Sequence, residues 1–280
     1  MKCRGLCRGA LFLGMVLLAA TVGIAATKAK PKEYVPKEGQ DGKDVVWIPT
    51  RNAVADKMLD LAQVTAKDFV IDLGSGDGRL VIAAAKRGAR ALGIEYNPGL
   101  VELANRNAIA EGVADKTRFV KADIFESDFS QATVITMFLL LDLNLKLRPQ
   151  LLKLKPGTRI VSNTFGMGEW TADQAEEVGG YCSLYCTALL WIVPAQVDGE
   201  WSLSGGGQLT LTQSFQMIAF NVIADGKTIP IESGRLTGDR IAFTAGGAEY
   251  SGRVRGSAMQ GEYKSGGTRG TWSAVRSASR

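Results

Sequence analysis

A glycine-rich loop that follows a carboxylate is the feature of this sequence best suited to chemistry. It reads Asp72-Leu73-Gly74-Ser75-Gly76-Asp77-Gly78-Arg79 and comes at the end of an apolar run. Glycines let the backbone turn sharply and approach a ligand without a Cβ in the way. Loops that bind a dinucleotide pyrophosphate have the spacing Gly-x-Gly-x-x-Gly, whereas this loop has Gly-x-Gly-x-Gly. Because a carboxylate repels a pyrophosphate and attracts an ammonium or sulfonium group, the loop favours a cationic ligand.

Two further acids end the next apolar runs of the chain. Glu95 is placed where one carboxylate accepts hydrogen bonds from both hydroxyls of a ribose, and Asp123 where it accepts from an adenine amino group. Ile124 or Phe125 beside it is placed to cover the adenine ring. An adenosine that carries a cationic group is S-adenosylmethionine. The loop and the two acids together therefore predict a site for this cofactor.

The composition restricts the chemistry to reactions that need little proton transfer. The 280 residues include no histidine, which excludes Ser-His-Asp and Cys-His catalysis and histidine metal ligands. Of the four cysteines, two lie at positions 3 and 7, so no zinc site is predicted and the expected metal content is none. Methyl transfer from a sulfonium depends mainly on orientation and desolvation, so it is compatible with this composition.

The residues around the loop predict the elements that position it. Apolar runs predict strands at 69–73, 91–95, 118–124, 134–141 and 159–164, and helical spacing predicts helices at 79–87, 100–109 and 144–154. Strands that alternate with helices predict a parallel sheet covered on both faces. We therefore expect a doubly wound, Rossmann-like α/β domain over residues 45–195. Asp142 is expected to cap the last of these helices.

The pair Cys182 and Cys186 falls on a predicted late strand. A strand would separate their α-carbons by about 13 Å, too far for a disulfide, whereas one helical turn would permit a disulfide only with strain. We therefore expect buried free thiols.

The last part of the chain differs from the rest in composition and in its pattern of apolar residues. Residues 196–280 contain 15 of the 33 glycines, and short, partly alternating runs are separated by turn pairs such as Asp198-Gly199 and Gly246-Gly247. The runs lie at 208–213, 215–222, 240–244, 249–255 and 270–276. This pattern predicts a small antiparallel all-β domain, either a barrel or a sandwich.

The first residues have the pattern of a targeting segment. Residues 1–26 combine a basic start, an apolar stretch and small residues before a cleavage point, which favours a cleaved signal peptide and export to the cell envelope, periplasmic or secreted. The alternative is a retained anchor, because residues 9–27 carry no charge and approach the length of a membrane-spanning helix. Such an anchor would associate the protein with a membrane and leave its catalytic domain facing the cytoplasm. Residues 27–44 are predicted to be a solvated linker.

The charge balance gives no indication of a nucleic-acid partner. Of the formal net charge of +5, three charges are Lys2, Arg4 and Arg8 in the targeting segment. So small a remaining balance does not predict a binding surface for nucleic acid, and no DNA or RNA partner is expected.

Over residues 45–195 the sequence resembles the class I, seven-β-strand methyltransferases that use S-adenosylmethionine. Three motifs, Val46-Trp47-Ile48-Pro49-Thr50, Met58-Leu59-Asp60-Leu61-Ala62 and the glycine loop, are similar to a narrower group. That group comprises the protein lysine methyltransferases that act on the mitochondrial ATP synthase c subunit and the adenine nucleotide translocase, with their prokaryotic relatives. Resemblance to it implies that Pro49 and Thr50 line the methionine end of the cofactor or the substrate channel. Residues 136–142 lack the Asn/Asp-Pro-Pro-Tyr signature of enzymes that methylate nucleic-acid amino groups.

These observations favour an enzyme that methylates the lysine side chain of a protein substrate by direct in-line transfer. The alternatives are a small-molecule methyltransferase, or a cell-envelope binding protein that keeps the fold without turnover. Trp47 and Phe138, with Thr50, are the candidates for the acceptor channel; the alternative for both aromatics is core packing. The residues predicted to contact the cofactor are Pro49, Thr50, Asp72, Gly74, Ser75, Gly76, Gly78, Glu95, Tyr96, Asp123 and Ile124.

Overall fold

The protein is described by a computed structural model over residues 34–180, 182–224 and 227–277. The signal peptide or membrane anchor predicted at residues 1–26 lies outside these ranges, as does the linker before residue 34. Among the residues in these ranges, no helix is long and apolar enough to cross a membrane.

A seven-stranded mixed sheet carries the glycine loop. Its strands are β1 (Phe69–Leu73), β2 (Arg90–Glu95), β3 (Thr117–Lys121), β4 (Val134–Met137), β5 (Arg159–Asn163), β6 (Gln174–Glu177) and β7 (Thr187–Ile192). They lie in the order β3-β2-β1-β4-β5-β7-β6, and β7 runs antiparallel to both of its neighbours. The predicted Rossmann-like α/β fold is confirmed, and the five predicted strands, β1 to β5, are parallel to one another. The antiparallel pairing of β7 was not predicted. In the part of the chain that the structure describes, no crossover helix separates β5, β6 and β7, so the chain returns in antiparallel pairs.

The helices of the described chain are α1 (Asn52–Leu61), α2 (Arg79–Lys86), α3 (Pro98–Ala110) and α4 (Leu141–Leu151). The last three match predicted helices, whereas α1 was not predicted. Because β4 ends at Met137, the following helix begins earlier than expected. Its N-cap is Leu140 and Asp142 lies in the first turn, so the prediction that Asp142 caps this helix is wrong.

Alternate residues of the central strand β1 pack into two separate hydrophobic clusters. Val70 belongs to the cluster that contains Met58 of α1 and Val81 of α2. Ile71 belongs to the cluster that contains Leu147 of α4. Burial on both faces holds β1 rigidly, and the glycine loop begins where this strand ends.

A closed antiparallel barrel follows the sheet. Its strands are β8 (Gly199–Leu203), β9 (Gln208–Ser214), β10 (Met217–Ala224), β11 (Lys227–Thr237), β12 (Arg240–Ala245), β13 (Ala248–Arg255), β14 (Ala258–Ser265) and β15 (Thr268–Arg276). Each strand pairs with the next in sequence, and β15 pairs with β8 to close the barrel. This confirms the antiparallel β domain as a barrel. The strands β8, β11 and β14 were not predicted.

The barrel packs against the segment that precedes β6. The ring of Phe215 stacks on that of Trp170 with centroids 5.9 Å apart, and the amide of Gln216 donates to the carbonyl of Thr171 at 2.8 Å. Arg235 of β11 forms an ion pair with Asp173 at 2.5 Å. Apolar and polar contacts thus join the barrel to the sheet.

Cys182 and Cys186 form a disulfide, with their α-carbons 5.8 Å apart. The prediction of free thiols is therefore wrong. It assumed a strand, but β7 begins only at Thr187 and the preceding residues turn, with Tyr185 at a φ of 58°. The turn brings the two sulfurs within bonding distance.

Candidate active site

A cleft at the carboxyl ends of β1, β2 and β4 collects the predicted site residues. All of them line it except Gly78. The opposite wall is formed by residues 40–50, which begin in the predicted linker and include the Trp47-Ile48-Pro49-Thr50 motif. Residues more than 80 positions apart in sequence are brought together because the carboxyl ends of parallel strands share one edge of the sheet.

Gly78 shapes the helix that follows the loop and does not line the cleft. It is the N-cap of α2 with a φ of 84°. A Cβ at this position would lie 2.8 Å from the ring of Phe119 and 2.9 Å from Ala104. Its role in the structure is close packing of the loop against β3 and α3, and the cofactor contact assigned to Gly78 stays a prediction.

Asp72 is a buried carboxylate at the end of β1. Its side chain accepts a hydrogen bond from the Thr136 hydroxyl at 2.7 Å. Burial, reinforced by the charges of Glu95 and Asp77, raises the pKa of Asp72 from 3.8 to about 7, and the hydrogen bond from Thr136 opposes this rise. A buried anion beside other anions is stabilised by a cationic group. The cleft therefore favours a cation at this end.

Thr136 was missed by the sequence analysis, although a single polar residue within the apolar run 134–137 was a signal for it. It is fully buried on β4. Its hydroxyl stabilises the ionised form of Asp72, because a donor to a carboxylate lowers the carboxyl pKa.

We expect Thr136→Val to raise the pKa of Asp72 further. Binding of a cationic ligand would then reach half of its maximum about one pH unit higher than in the wild type. Titration calorimetry with S-adenosylmethionine across pH 6 to 9 measures this shift. The matched control is Thr133→Val, because the Thr133 hydroxyl donates instead to Asp68 at 2.8 Å. An unchanged profile for Thr136→Val would contradict the assignment.

Glu95 at the end of β2 holds the loop in place. One carboxylate oxygen accepts from the backbone N–H of Gly76 at 2.9 Å and the other from that of Asn97 at 2.8 Å. Each oxygen of a carboxylate has further acceptor capacity. Glu95 therefore positions the glycine loop and keeps the capacity to accept from two ribose hydroxyls; that contact stays a prediction.

Asp123 lies beyond the end of β3 and forms an ion pair that was not predicted. Its Oδ2 lies 2.5 Å from Nζ of Lys43, and its Oδ1 accepts from the backbone of Phe125 at 2.9 Å. These two hydrogen bonds hold the pKa of Asp123 below its usual value. The Lys43 ammonium also lies 5.2 Å from the centroid of the Tyr96 ring. The ammonium of Lys43 thus pairs with the carboxylate that was predicted to accept a hydrogen bond from the adenine amino group.

Replacing Lys43 with glutamine is expected to raise affinity for S-adenosylmethionine. The ammonium competes with the adenine for Asp123, and loss of a part-exposed ion pair changes affinity by about threefold at low salt. The gain should fade at high salt, because ions screen the pair. Lys57→Gln is the control, since Lys57 pairs with Glu176 at 2.9 Å away from the cleft. Weaker binding by Lys43→Gln would show that Lys43 instead helps to hold the ligand.

Trp47 closes the cleft over the glycine loop. A Cβ added to Gly76 would lie 2.6 Å from Nε1 of this indole, and the φ of Gly76 is 53°. Gly76 is therefore required both by backbone conformation and by the close approach of Trp47. Behind Trp47, the backbone carbonyl of buried Thr50 accepts from the guanidinium of Arg79 at 2.8 Å. Arg79 thereby fixes the Pro49-Thr50 motif beside the loop.

The residues of the cleft fit S-adenosylmethionine. The buried Asp72 suits a cationic group, Glu95 and Asp123 are hydrogen-bond acceptors at the ends of adjacent strands, and Gly76 of the glycine loop lines the cleft without a side chain. The hydroxyl of Ser75 is buried and faces Gly93 of β2, so the cofactor contact predicted for Ser75 is assigned to its backbone. Ile124 and Leu139 supply apolar walls.

Comparison with known proteins agrees with this geometry. A family model described as the ANTKMT methyltransferase domain matches residues 72–174. A protein-lysine N-methyltransferase of Saccharolobus islandicus is 43% identical over 137 residues, which cover 48% of this chain and 85% of that protein. The Homo sapiens lysine N-methyltransferase that is named for the c subunit of ATP synthase is 37% identical over 111 residues, 39% of this chain and 48% of that protein. The chain therefore spans most of the archaeal relative and about half of the human one.

A solved structure extends the comparison to the fold. An RNA methyltransferase from Salinibacter ruber, in complex with S-adenosyl-L-homocysteine, is 46% identical, with a TM-score of 0.51. The match covers 54% of this chain and 96% of that one. With the loop, the acids and the sheet order, these likenesses identify the chain as an S-adenosylmethionine-dependent methyltransferase of the family that includes the Saccharolobus islandicus protein-lysine N-methyltransferase.

Proposed function

We propose that this enzyme methylates the side-chain amine of a lysine in a protein. The observation that carries the proposal is the likeness to the archaeal protein-lysine N-methyltransferase, which is 43% identical and 85% covered. Further relatives with lower coverage are also named lysine N-methyltransferases. The names of these relatives give the substrates of the relatives only. The protein that this enzyme modifies has to be identified by experiment.

Different residues of the cleft are assigned to different parts of the cofactor and of the reaction. When bound, S-adenosylmethionine supplies an electrophilic methyl group on a sulfonium sulfur. We assign the cationic end of this compound to Asp72, its ribose to Glu95 and its adenine to Asp123 with Ile124 and Tyr96. Trp47, Pro49 and Thr50 exclude water from the methionine end. Orientation and desolvation of the amine supply the catalysis, so no histidine is required.

RNA is a second candidate acceptor, because the Salinibacter ruber protein is described as an RNA methyltransferase and is 46% identical. In this chain β4 ends in Met137-Phe138-Leu139-Leu140. Apart from the weak thioether acceptor of the buried Met137, these residues offer no side-chain acceptor for a base amino group, which favours the lysine.

One experiment separates the two acceptors. The purified enzyme is incubated with methyl-labelled S-adenosylmethionine and a cell extract, and the extract is then treated with protease or with ribonuclease. Label that protease removes and ribonuclease leaves supports the proposal, and the reverse result supports RNA. Mass spectrometry of proteins from cells with and without the gene then identifies the methylated lysine. Complementation with Asp72→Asn, which we expect to keep the fold, controls for effects other than catalysis.

We also propose that the chain is exported or anchored at the membrane by residues 1–26. The Cys182–Cys186 disulfide favours export, because disulfides persist in oxidising compartments. A cytosolic supply of the methyl donor favours the anchored alternative. N-terminal sequencing of the native protein distinguishes them: cleavage near Ala25 or Ala26 shows export, and an intact start with membrane fractionation shows an anchor.

A further inference from the structure

A second cavity adjoins the cofactor cleft. Ile48, Pro49 and Arg79 line both spaces, and the second is completed by residues that include Asn163 and Tyr185. It therefore extends the cleft from the loop of β1 toward the ends of β5 and β7.

The sheet register explains this position. Met137 of β4 is paired with Ser162 of β5, so Phe138, the first residue after β4, lies beside Asn163, the last residue of β5. Leu73 of β1 is paired with the same Met137. The glycine loop, Phe138 and Asn163 consequently follow one another along one edge of the sheet.

Three aromatic rings meet between the two cavities. The ring centroid of Tyr185 is 5.2 Å from that of Phe138 and 5.8 Å from that of Phe165. Phe138 lines the cofactor cleft and Tyr185 lines the second cavity. A methylene chain that passes between the cavities would contact these rings, and apolar contact of this kind favours an aliphatic side chain.

Asn163 places a polar group in the same cavity. It is fully buried, and its Nδ2 has no hydrogen-bond partner among the described residues. Its Oδ1 accepts from the Thr164 hydroxyl at 3.0 Å. A hydroxyl can equally accept, so rotation of the amide by 180° would turn the oxygen toward an amine. A buried amide with an unused group points to a polar ligand.

Burial in the cavity favours an amine in its neutral form. The charges of the lining offset one another: Arg79 is paired with Asp77 at 2.5 Å, which leaves the guanidinium of Arg51 opposed by the carboxylate of Glu38. Burial lowers the pKa of an incoming amine, and only the neutral amine is a nucleophile.

A disulfide holds Tyr185 at this position. The bridge closes the short turn from Cys182 to Cys186, and Tyr185 lies within it at a φ of 58°. Non-glycine residues adopt this conformation only where the surrounding structure maintains it. Tyr185 is thus presented to Phe138 by a covalently closed turn.

We propose that the second cavity receives the acceptor amine and that Tyr185 is a specificity-determining residue, held against Phe138 by the Cys182–Cys186 disulfide. The inference rests on the proposed lysine methylation. It adds to it the residues that select an unbranched aliphatic amine.

A bisubstrate probe tests the inference by binding alone. The probe is an aza analogue of S-adenosylhomocysteine whose nitrogen carries an aminoalkyl arm of lysine length, and its partner compound carries only a methyl group. In the wild type, the arm should raise affinity about tenfold, because its methylenes are buried against the rings. Tyr185→Ala should lose most of this gain and bind the methyl compound as the wild type does. Tyr185→Phe should keep it.

Two further variants control for the fold and the turn. Cys182→Ser opens the disulfide and should reduce the gain in the same direction as Tyr185→Ala. Tyr263→Ala, in the barrel, should leave it intact. The inference is overturned if the aminoalkyl arm still raises affinity about tenfold in Tyr185→Ala. It is also overturned if Tyr185→Ala weakens binding of both compounds equally. A third outcome separates this inference from the proposed function. If the affinity added by the arm depends on Tyr185 but no lysine methylation is lost in cells without the gene, the second cavity binds an amine and the proposed lysine acceptor is wrong.

Discussion

Replacing Asp72 with asparagine is expected to weaken binding of S-adenosylmethionine about 100-fold and, at the same time, to stabilise the ligand-free protein. The loss follows because a neutral amide cannot compensate a cationic ligand group in a buried site, where a charged hydrogen bond contributes about 3 kcal/mol. The gain follows because Asp72 is almost fully buried beside Glu95 and Asp77. The Asp72 carboxylate thus stabilises the bound cationic ligand and destabilises the folded protein when no ligand is bound.

The size of the stabilisation follows from the pKa. A rise from 3.8 to about 7 corresponds to about 4 kcal/mol of unfavourable ionisation in the native state. Asparagine should recover about 2 kcal/mol of this at pH 8, because its buried NH₂ group also needs a partner. For a chain of this length that amounts to a rise in Tm of about 5 °C.

The sign of the pH dependence is a second part of this prediction. Because the native pKa of Asp72 is raised, the folded state holds a proton that the unfolded state has released between pH 4 and about 7. The contribution of Asp72 to stability is therefore complete below pH 4 and is lost as the pH rises through about 7. Asp72→Asn should remove this dependence. Affinity for the cationic ligand should change oppositely in the wild type, rising as Asp72 ionises.

Asp68 provides the matched control, since it is a buried acid on the amino-terminal side of the same strand. Burial tends to raise its pKa, but hydrogen bonds from Thr65 and Thr133 and the charge of Arg159 outweigh this and lower it. Asp68→Asn should therefore destabilise the protein and leave ligand binding unchanged. Thermal unfolding from pH 5 to 9 and titration calorimetry measure both variants. A less stable Asp72→Asn protein, or one that binds normally, would contradict the assignment.

The sequence predicted the acids of the site because their positions are local. Each lies at or just beyond the end of an apolar strand, and parallel strands bring such ends together whatever the other details. Asp72, Glu95 and Asp123 accordingly line one cleft. The spacing of the loop did not predict that Gly78 packs against Phe119 and Ala104, because both contacts come from other elements of the fold.

Contacts between segments that are far apart in sequence could not be predicted from local sequence patterns. The ion pair from Lys43 to Asp123 joins residues 80 positions apart, and nothing local distinguishes Lys43 from the other lysines near the N-terminus. The antiparallel strand β7 and the Cys182–Cys186 bridge both depend on a turn whose φ values are set by tertiary packing. Thr136 was visible as an exception in an apolar run, but its partner became evident only through the pairing of β1 with β4.

Substituting alanine for Gly76 is the second change with a large expected effect. A left-handed φ of 53° costs an alanine about 1 kcal/mol, and the new Cβ would lie 2.6 Å from Nε1 of Trp47. Trp47 must then move away from the loop and open the wall that it forms over the cleft. We expect affinity for S-adenosylmethionine to fall about 30-fold, because both the loop and its cover are displaced.

Gly112→Ala isolates the backbone part of this effect. Gly112 has a φ of 69° at the end of α3, and a Cβ there would have nothing within 4 Å. It should cost similar backbone free energy and leave affinity unchanged. A double mutant of Gly76→Ala and Trp47→Ala tests the steric part: since the clash exists only when both side chains are present, the double mutant should lose less binding free energy than the two single mutants lose together. Strict additivity would mean that Trp47 does not cover the loop, and that the requirement for glycine at position 76 comes from its conformation alone.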